Sequence, residues 1–181
     1  MGIYWTMKYK NEKDRDLLEE WQLKTKNLPV KIFVPYGHYD DYLQKGVPAD
    51  DKFALDPTEM ASEDWIITFG MSITNPIATL IERTLSFLRE KNFFSISDII
   101  SEIEKDKKTS DEIKNSATGL FESAKTWGIF ADNKKESTQV ADLISAGVTS
   151  VLDLSVYNSV GAFNIRALII SLVSRKIFNQ R

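Results

Sequence analysis

Apolar side chains recur every three or four residues over much of the chain, which is the spacing that places them on one face of a helix. Between residues 62 and 127 these amphipathic stretches follow one another with only short polar breaks, and Gly128 follows the last of them. Residues that cap helices stand before most of them. The pattern predicts helices that begin at Asn11, at Ser62, at Asn75-Pro76, at Ser95 or Ser97, and at about Asp111.

Two stretches rich in β-branched and other apolar residues differ from this pattern and predict β-strands. Val30 to Val34 is rich in β-branched and aromatic residues and is closed by Pro35. Val148 to Val156 has the composition of a buried strand, and a helix from about Phe163 to Phe178 follows it. A strand followed by an amphipathic helix is the unit from which parallel sheets are built. A short extended piece is expected at Phe53 to Leu55.

The order of these elements predicts the fold class. More than a hundred mostly helical residues separate the two strands. We therefore expect an α/β fold with a short, mainly parallel sheet, a large helical insertion and a helix-rich chain overall. The expected portions are an N-terminal α/β portion over residues 1–75, a helical insertion over 76–135, and a C-terminal strand and helix over 136–181 that pack on the first.

Composition narrows the class of protein. Of the 181 residues, 43% are hydrophobic and 27% are charged, as in chains that fold. The formal net charge of -3 does not give the overall positive field that marks dedicated nucleic-acid binders. The chain has no cysteine, which excludes disulfides, cysteine-bound zinc and thiol catalysis.

The sequence shows neither a membrane span nor a secretory signal. The apolar run Ala167 to Val173 is far shorter than the roughly 20 residues that cross a bilayer. The first residues lack a basic stretch followed by an apolar one. We therefore expect a cytoplasmic protein without a membrane partner.

No complete catalytic or nucleotide-binding motif is present, and no catalytic residue, cofactor or metal site is predicted for the chain itself. The eight glycines are scattered singly, without the GxxxxGK[ST] or GxGxxG pattern that cradles phosphates. His38 is the single histidine, so a Ser-His-Asp triad or a two-histidine metal site cannot form within one chain. Asp40 and Asp41 offer two carboxylates to a hard cation; the alternative is a structural or solvent-exposed turn.

Asp153 is a carboxylate within the second predicted strand, where burial is costly unless the group is paired. In P-loop enzymes an acid at the end of an apolar strand holds magnesium-bound water. The alternative is that Asp153 and Ser155 brace the segment after the strand. We favour the bracing role because no second acid follows.

Residues 76–130 also have the pattern of a winged helix or a helix-turn-helix. Lysines lie in and near this stretch, but interleaved acidic residues neutralise them, so a solvated helical bundle is the simpler account. A subset of the lysines remains available for phosphate contact. The nucleic-acid-binding candidates are Lys107, Lys108 and Lys114.

Three stretches of the chain resemble a known family. They are Tyr4-Trp5-Thr6-Met7-Lys8-Tyr9 with Asp16-Leu17-Leu18 and Trp21, then Pro29 to Pro35 with Gly37 and Tyr39, then Glu122 to Phe130, Ser150 to Ser155 and Arg166 to Arg181. The set resembles the middle of archaeal ATPases of the HerA-FtsK superfamily, P-loop motors related to DNA-translocating helicases. The Walker A and Walker B motifs of that family are both missing here.

The resemblance implies a non-catalytic central fragment or truncated relative of a HerA-type ATPase, with a role in assembly, regulation or DNA contact. ATP and magnesium are implied only for a full-length family member, so ATPase activity is not expected of this chain alone. The implied partners are further copies of the chain or the parent ATPase, and DNA. The inter-subunit candidates are Arg166, Arg175 and Arg181; the alternative is that they are solvated cations near a helix C-terminus.

Two other functions stay open. The helices of residues 76–130 suit a DNA-binding or regulatory module, which predicts salt-sensitive binding of duplex DNA. A small enzyme would instead use His38, Asp40 and Asp41 around a bound ion.

Overall fold

A computed structural model describes residues 4–159 and 163–179 and has the α/β, helix-rich fold that the sequence predicts. Three parallel strands lie in the order β2-β1-β3. The strands are β1 (Val30–Pro35), β2 (Asp51–Phe53) and β3 (Thr149–Leu152). The helices are α1 (Arg15–Glu20), α2 (Tyr39–Gln44), α3 (Ser62–Thr68), α4 (Pro76–Leu88), α5 (Ile96–Lys105), α6 (Asp111–Thr126), α7 (Val140–Leu143) and α8 (Phe163–Asn179). None of the helices in the described ranges is long and apolar enough to cross a membrane.

The central strand β1 is covered on both of its faces. Ile32 and Val34 pack with Tyr42 of α2 on one face, and Phe33 packs into a larger core on the other. Successive side chains of a strand point to opposite faces, so this division follows from the sequence order. Burial on both faces explains why Ile32, Phe33 and Val34 are apolar in succession and do not alternate with polar residues.

The segment between β2 and β3 forms the larger layer of the molecule. Helices α3 to α6 pack against one another, and α8 packs on α3. Trp65 is fully buried there, with its ring centroid 5.0 Å from that of Phe121 and 5.1 Å from that of Phe130. Side-chain caps begin α4 at Asn75 and α5 at Ser95, as predicted. The proposed division into three portions stays a prediction, although β3 does pair with β1.

The second predicted strand is shorter than expected, since β3 ends at Leu152 and not at Val156. The carboxylate of Asp153 turns the chain by accepting the Ser155 N–H, and a 3₁₀ turn follows at Ser155–Tyr157. An acid at this position therefore terminates the strand that its apolar neighbours begin.

Two further elements differ from the prediction. The first helix spans only Arg15–Glu20, because the Asn11 side chain bonds to the Asp14 carboxylate at 2.7 Å and caps no helix. The extended piece expected at Phe53 to Leu55 is shifted: β2 ends at Phe53, and Leu55 forms an isolated bridge with Phe130.

The two connections of the sheet run on opposite faces. Helix α2 leads from β1 to β2 on the face of Ile32 and Val34, whereas the helices from α3 onward lead from β2 to β3 on the face of Phe33. The chain therefore diverges at the carboxyl ends of β1 and β3. Such a switch point is where open parallel sheets bind ligands.

Candidate ligand cavity and free sheet edge

A cavity of about 180 Å³ lies at this switch point. Its lining comes from three separate parts of the chain: the N-terminal 3₁₀ turn, helix α2 with the residues after it, and the segment that follows β3. Only the tertiary structure brings these parts together. The main lining residues are Tyr4, Trp5, Tyr42, Lys45, Asp153 and Ser155.

Asp153 is the buried charged group of this cavity, with 5% of its surface exposed. Its Oδ2 accepts the hydroxyl of Tyr4, and its Oδ1 accepts the backbone N–H of Ser155 at 2.7 Å. Its own N–H donates to the carbonyl of Phe33 at 2.8 Å, which fixes it at the carboxyl end of β3. The bond to Ser155 confirms the predicted bracing role of this pair.

The remaining polar groups of the cavity come from α2, from the residue after it and from the segment that follows β3. The hydroxyls of Tyr42 and Ser155 lie 3.1 Å apart, within hydrogen-bond distance. Asp41 and Lys45 are exposed and complete the charged part of the lining. The cavity is thus bounded by aromatic side chains, two carboxylates and one ammonium group.

His38 joins the turn after β1 to the end of α6. Its Nε2 lies 3.1 Å from the carbonyl oxygen of Trp127, and its Nδ1 lies 3.5 Å from Oδ2 of Asp41. The hydroxyl of Tyr157 donates to the same Trp127 oxygen at 2.7 Å. Burial, with a smaller contribution from the neighbouring Tyr42, raises the pKa of Tyr157 above its ordinary value. This arrangement gives His38 a structural role.

The ion site considered for His38, Asp40 and Asp41 does not gain a third acid in the structure. Asp40 is exposed on α2. Within residues 4–159 and 163–179, no three His, Cys, Asp or Glu side chains converge as metal ligands would. The described residues therefore do not form the ion-binding site that the small-enzyme hypothesis needs.

The second candidate surface is the outer edge of β3. The N–H of Thr149 donates to the carbonyl of Pro29, and the N–H of Asp153 donates to the carbonyl of Phe33. Every second residue of this segment, starting at Thr149, therefore directs its backbone groups toward β1. In a parallel strand the residues between them direct their backbone groups the other way. The backbone N–H and C=O groups of Ser150 and Leu152 therefore point away from β1, and no strand in the described part of the chain pairs with them.

An apolar groove of about 410 Å³ lies between this edge and α8. Leu152 and Leu154 line it from the end of β3, and Ile170 and Val173 line it from α8. Ile170 is 59% exposed although it is a large apolar residue. Arg166 lines the same groove and forms no ion pair with any residue that the structure describes.

The three arginines predicted at subunit contacts have different surroundings. Arg166 faces the groove beside β3, as just described. Arg175 donates to Oδ2 of Asp64 at 2.7 Å and to the carbonyl of Glu59 at 3.3 Å, and the bond to Asp64 raises its pKa. Arg181 lies outside the described residues. Of Arg166 and Arg175, Arg166 is therefore the one whose guanidinium is available to a partner.

The lysines predicted to contact nucleic acid lie around the connection between α5 and α6. Lys107 and Lys108 are exposed in that connection. Lys114 pairs with Asp111 at 2.7 Å, and its side chain is only 20% exposed. Asp111 and Glu112 place two carboxylates in the first turn of α6. The structure does not gather the three lysines into an unpaired basic cluster.

Sequence reasoning missed the cavity altogether. Tyr4 and Trp5 stand out in the sequence only as part of the resemblance, and Asp153 only as an acid in a strand. The available signal was weak: two adjacent aromatic residues in a short polar segment need an apolar surface to pack on. The sequence does not indicate which surface that is.

Comparison with other proteins adds no relative to this picture. No protein-family model, curated protein or solved structure matches the chain. A function is therefore argued from the fold, the edge and the cavity.

Proposed function

We propose that this chain is a non-catalytic part of a HerA-type DNA-translocating ATPase and serves in its assembly, by joining its sheet to a strand of a motor subunit along the free edge of β3. The observation that carries the proposal is the outward-facing backbone of Ser150 and Leu152 beside an apolar groove. The family comes from the sequence resemblance, and the role in assembly comes from this edge.

The edge of β3 is short, at four residues, and carries neither a charged side chain nor a proline. Proteins protect such edges with charged side chains, with proline, or with a covering segment. β3 reads Thr149-Ser150-Val151-Leu152, without a charge or a proline. Thr149 and Ser150 are exposed. A strand added here gains main-chain hydrogen bonds, which is how extended segments bind sheet edges in many complexes.

The groove beside the edge specifies the partner strand further. Leu154, Ile170 and Val173 offer apolar surface to the side chains on one face of an added strand. Arg166 supplies a guanidinium that a carboxylate of the partner can bind in bidentate geometry. The expected partner segment is therefore an apolar strand with an acidic residue near one end.

The residues present do not fit a bound magnesium triphosphate. The chain contains no glycine-rich phosphate loop. Asp153, the acid at a strand end, belongs to no group of three metal-ligating side chains among the described residues. Catalysis of phosphoryl transfer depends on groups that hold the phosphates and the metal. A supporting role in the motor fits these residues better than hydrolysis.

The DNA-binding alternative draws on exposed Lys107 and Lys108, but two observations place it second. The first turn of α6, which would enter the groove of DNA in a helix-turn-helix, carries Asp111 and Glu112. Residues 76–135, all of which the structure describes, contain no β-hairpin that could act as a wing. Phe130 instead bridges to Leu55 of the sheet layer.

The test of the assembly role is to mix the chain with a HerA-type motor subunit and follow complex formation by sedimentation. Hydrogen exchange in the complex should slow at the amides of Ser150 and Leu152. Ser150→Pro removes one outward N–H, which edge strands tolerate, and should abolish the complex. Ser150→Ala is the matched control: it loses the hydroxyl bond to the Leu143 carbonyl but keeps the N–H, and should still bind.

Several outcomes would contradict this role. A complex that survives Ser150→Pro, or the absence of a complex at micromolar concentration, removes the edge contact. Dimers of the chain alone that Ser150→Pro dissociates would make a second copy the partner of the edge. Micromolar, magnesium-dependent ATP binding would contradict the non-catalytic role. Salt-sensitive duplex binding that is lost on combined replacement of Lys107, Lys108 and Lys114 would favour the DNA-binding alternative.

A further inference from the structure

We propose that the cavity at the carboxyl ends of β1 and β3 binds the head group of a small organic cation of the alkylammonium class. The site consists of the buried carboxylate of Asp153 and three aromatic residues, Tyr4, Trp5 and Tyr42. Different residues from those of the β3 edge carry this inference, so it does not rest on the assembly role.

Asp153 is a buried acid at the wall of the cavity. The carboxylate is buried and accepts two hydrogen bonds, from the Tyr4 hydroxyl and the Ser155 N–H. Neither donor is charged, and no lysine, arginine or histidine in the described ranges forms an ion pair with it. A buried charge is costly unless a counter-charge or a metal accompanies it. The adjoining cavity is where a cation would supply that counter-charge.

The walls of the cavity are largely aromatic. Aromatic faces attract cations through the ring quadrupole, and cages of aromatic residues are the usual way in which proteins bind quaternary ammonium groups. Tyr4, Trp5 and Tyr42 surround the cavity together with the apolar Val47. An inorganic cation would need several converging oxygen ligands, and no three acids meet at any point of the described chain. Weakly hydrated alkylammonium groups suit a mixed aromatic and carboxylate lining better.

The volume of the cavity limits the size of its ligand. The cavity of about 180 Å³ is smaller than the roughly 300–1,000 Å³ of pockets that enclose drug-sized ligands. It has room for a compact head group and not for a whole cofactor. The remainder of the ligand would extend past exposed Asp41 and Lys45. The trimethylammonium head group is common to free choline-like compounds and to the trimethylated lysine of a protein.

The direct experiment compares two ligands of equal shape and different charge. Choline and its neutral isostere 3,3-dimethylbutan-1-ol are titrated into the chain, with binding read from calorimetry and from the NMR signal of the Trp5 indole N–H. Choline should bind at least about tenfold more tightly, since the cationic interaction is lost in the isostere. Equal affinities would show a merely apolar pocket, and no shift of the Trp5 signal with either ligand would remove the site.

Three variants test which groups carry the charge. Asp153→Asn should weaken choline binding about tenfold, whereas Asp41→Asn, at an exposed position, should weaken it less. Lys45→Met should strengthen binding, because it removes a like charge beside the cation; weaker binding in this variant would contradict a site selected by charge. If Asp153→Asn does not fold, the comparison of choline with its isostere on the unmodified chain still decides the proposal.

The source of the head group is settled by a second comparison. A short peptide that contains trimethyllysine is titrated beside choline and the same peptide with unmodified lysine. Tighter binding of the trimethylated peptide than of choline identifies a protein side chain, and the reverse order identifies a free amine; either result supports an alkylammonium site. Equal binding of both peptides would overturn the preference for the alkylated group. Ser150 does not line the cavity, so failure of the assembly role leaves this test unaffected.

Discussion

Gly37 and Gly128 meet backbone to backbone: the N–H of Gly37 donates to the carbonyl oxygen of Gly128 at 2.8 Å. A methyl group on Gly37 would lie 2.7 Å from the Cα of Gly128, closer than carbon atoms pack. The contact ties the turn after β1 to the residue that ends α6. The adjacent His38 adds a second link between the same segments through its hydrogen bond to the carbonyl of Trp127. The sheet and the helical layer are joined at this point.

Gly37→Ala should destabilise the protein by about 1–3 kcal/mol, because the added methyl group forces two backbone segments apart. The measurement is the free energy of unfolding in urea. Gly119→Ala is the matched control: Gly119 lies within α6, where an added methyl group meets nothing within 4 Å. That variant should gain about 0.5–1 kcal/mol from helix propensity. Equal stabilities for Gly37→Ala and the unmodified chain would contradict the close approach.

Tyr157→Phe should cost about 0.5–1.5 kcal/mol at pH 7, because the variant loses the bond from the hydroxyl to Trp127. Burial raises the pKa of Tyr157 above its ordinary value of 10.0, so the native state keeps a proton that the unfolded chain loses. The stability contributed by this group should therefore fall as the pH rises above 10. Urea unfolding from pH 7 to 11 should show the gap between the two proteins narrowing; a constant gap would contradict the burial of the hydroxyl.

Asp98→Ala should cost about 0.5–2 kcal/mol at pH 7, since Asp98 closes the cap of α5. Its Oδ2 accepts the N–H and the hydroxyl of Ser95, each at 2.8 Å, and these bonds lower its pKa below 3.8. The contribution is present above pH 3.8 and is lost as the pH falls through the lowered pKa. Thermal unfolding of variant and unmodified chain should converge in acid. Glu104→Gln, exposed on the same helix, should change stability at pH 7 by less than about 0.5 kcal/mol.

Arg175→Ala and Arg166→Ala should separate structural from partner contacts. Arg175 is paired with Asp64 at 2.7 Å, and its side chain is 41% exposed, so its loss should cost about 0.2–1 kcal/mol of stability and leave assembly with a motor subunit intact. Arg166→Ala should leave stability nearly unchanged and weaken that assembly. Sedimentation of the two variants with the motor subunit, beside their melting curves, checks both statements. The opposite assignment of effects would show that the groove is not the contact.

Much of the local structure could be predicted from the sequence. The apolar run at β1, the caps at Asn75 and Ser95, and the glycine after α6 are short-range signals that fix where elements begin or end. Two of the boundaries that were wrong share a cause: a side chain bonded locally in a way that the apolar pattern does not reveal. Asn11 bonds to Asp14 and Asp153 bonds to Ser155, and each bond shortens the element beside it.

The candidate sites were much less predictable. Asp153 was recognised as an unusual acid, but its hydroxyl partner Tyr4 lies near the other end of the chain. Arg166 and Arg175 look alike in the sequence, and only the fold places one beside a groove and the other beside Asp64. The pair of Lys114 with Asp111, by contrast, has the i,i+3 spacing of neighbours on a helix and is readable from the sequence.

The sequence by itself determined the α/β class, the parallel character of the sheet and the position of most helices, because periodicity, capping and strand composition act over a few residues. Tertiary structure alone decided that β3 lies at an edge, that no strand of the described residues pairs with its outer side, and that three aromatic residues line one cavity with a buried carboxylate. Those features depend on contacts between residues far apart in the chain. Those contacts form when the apolar surfaces of distant segments pack together and exclude water. A pattern within a few neighbouring residues does not specify which distant surfaces will meet.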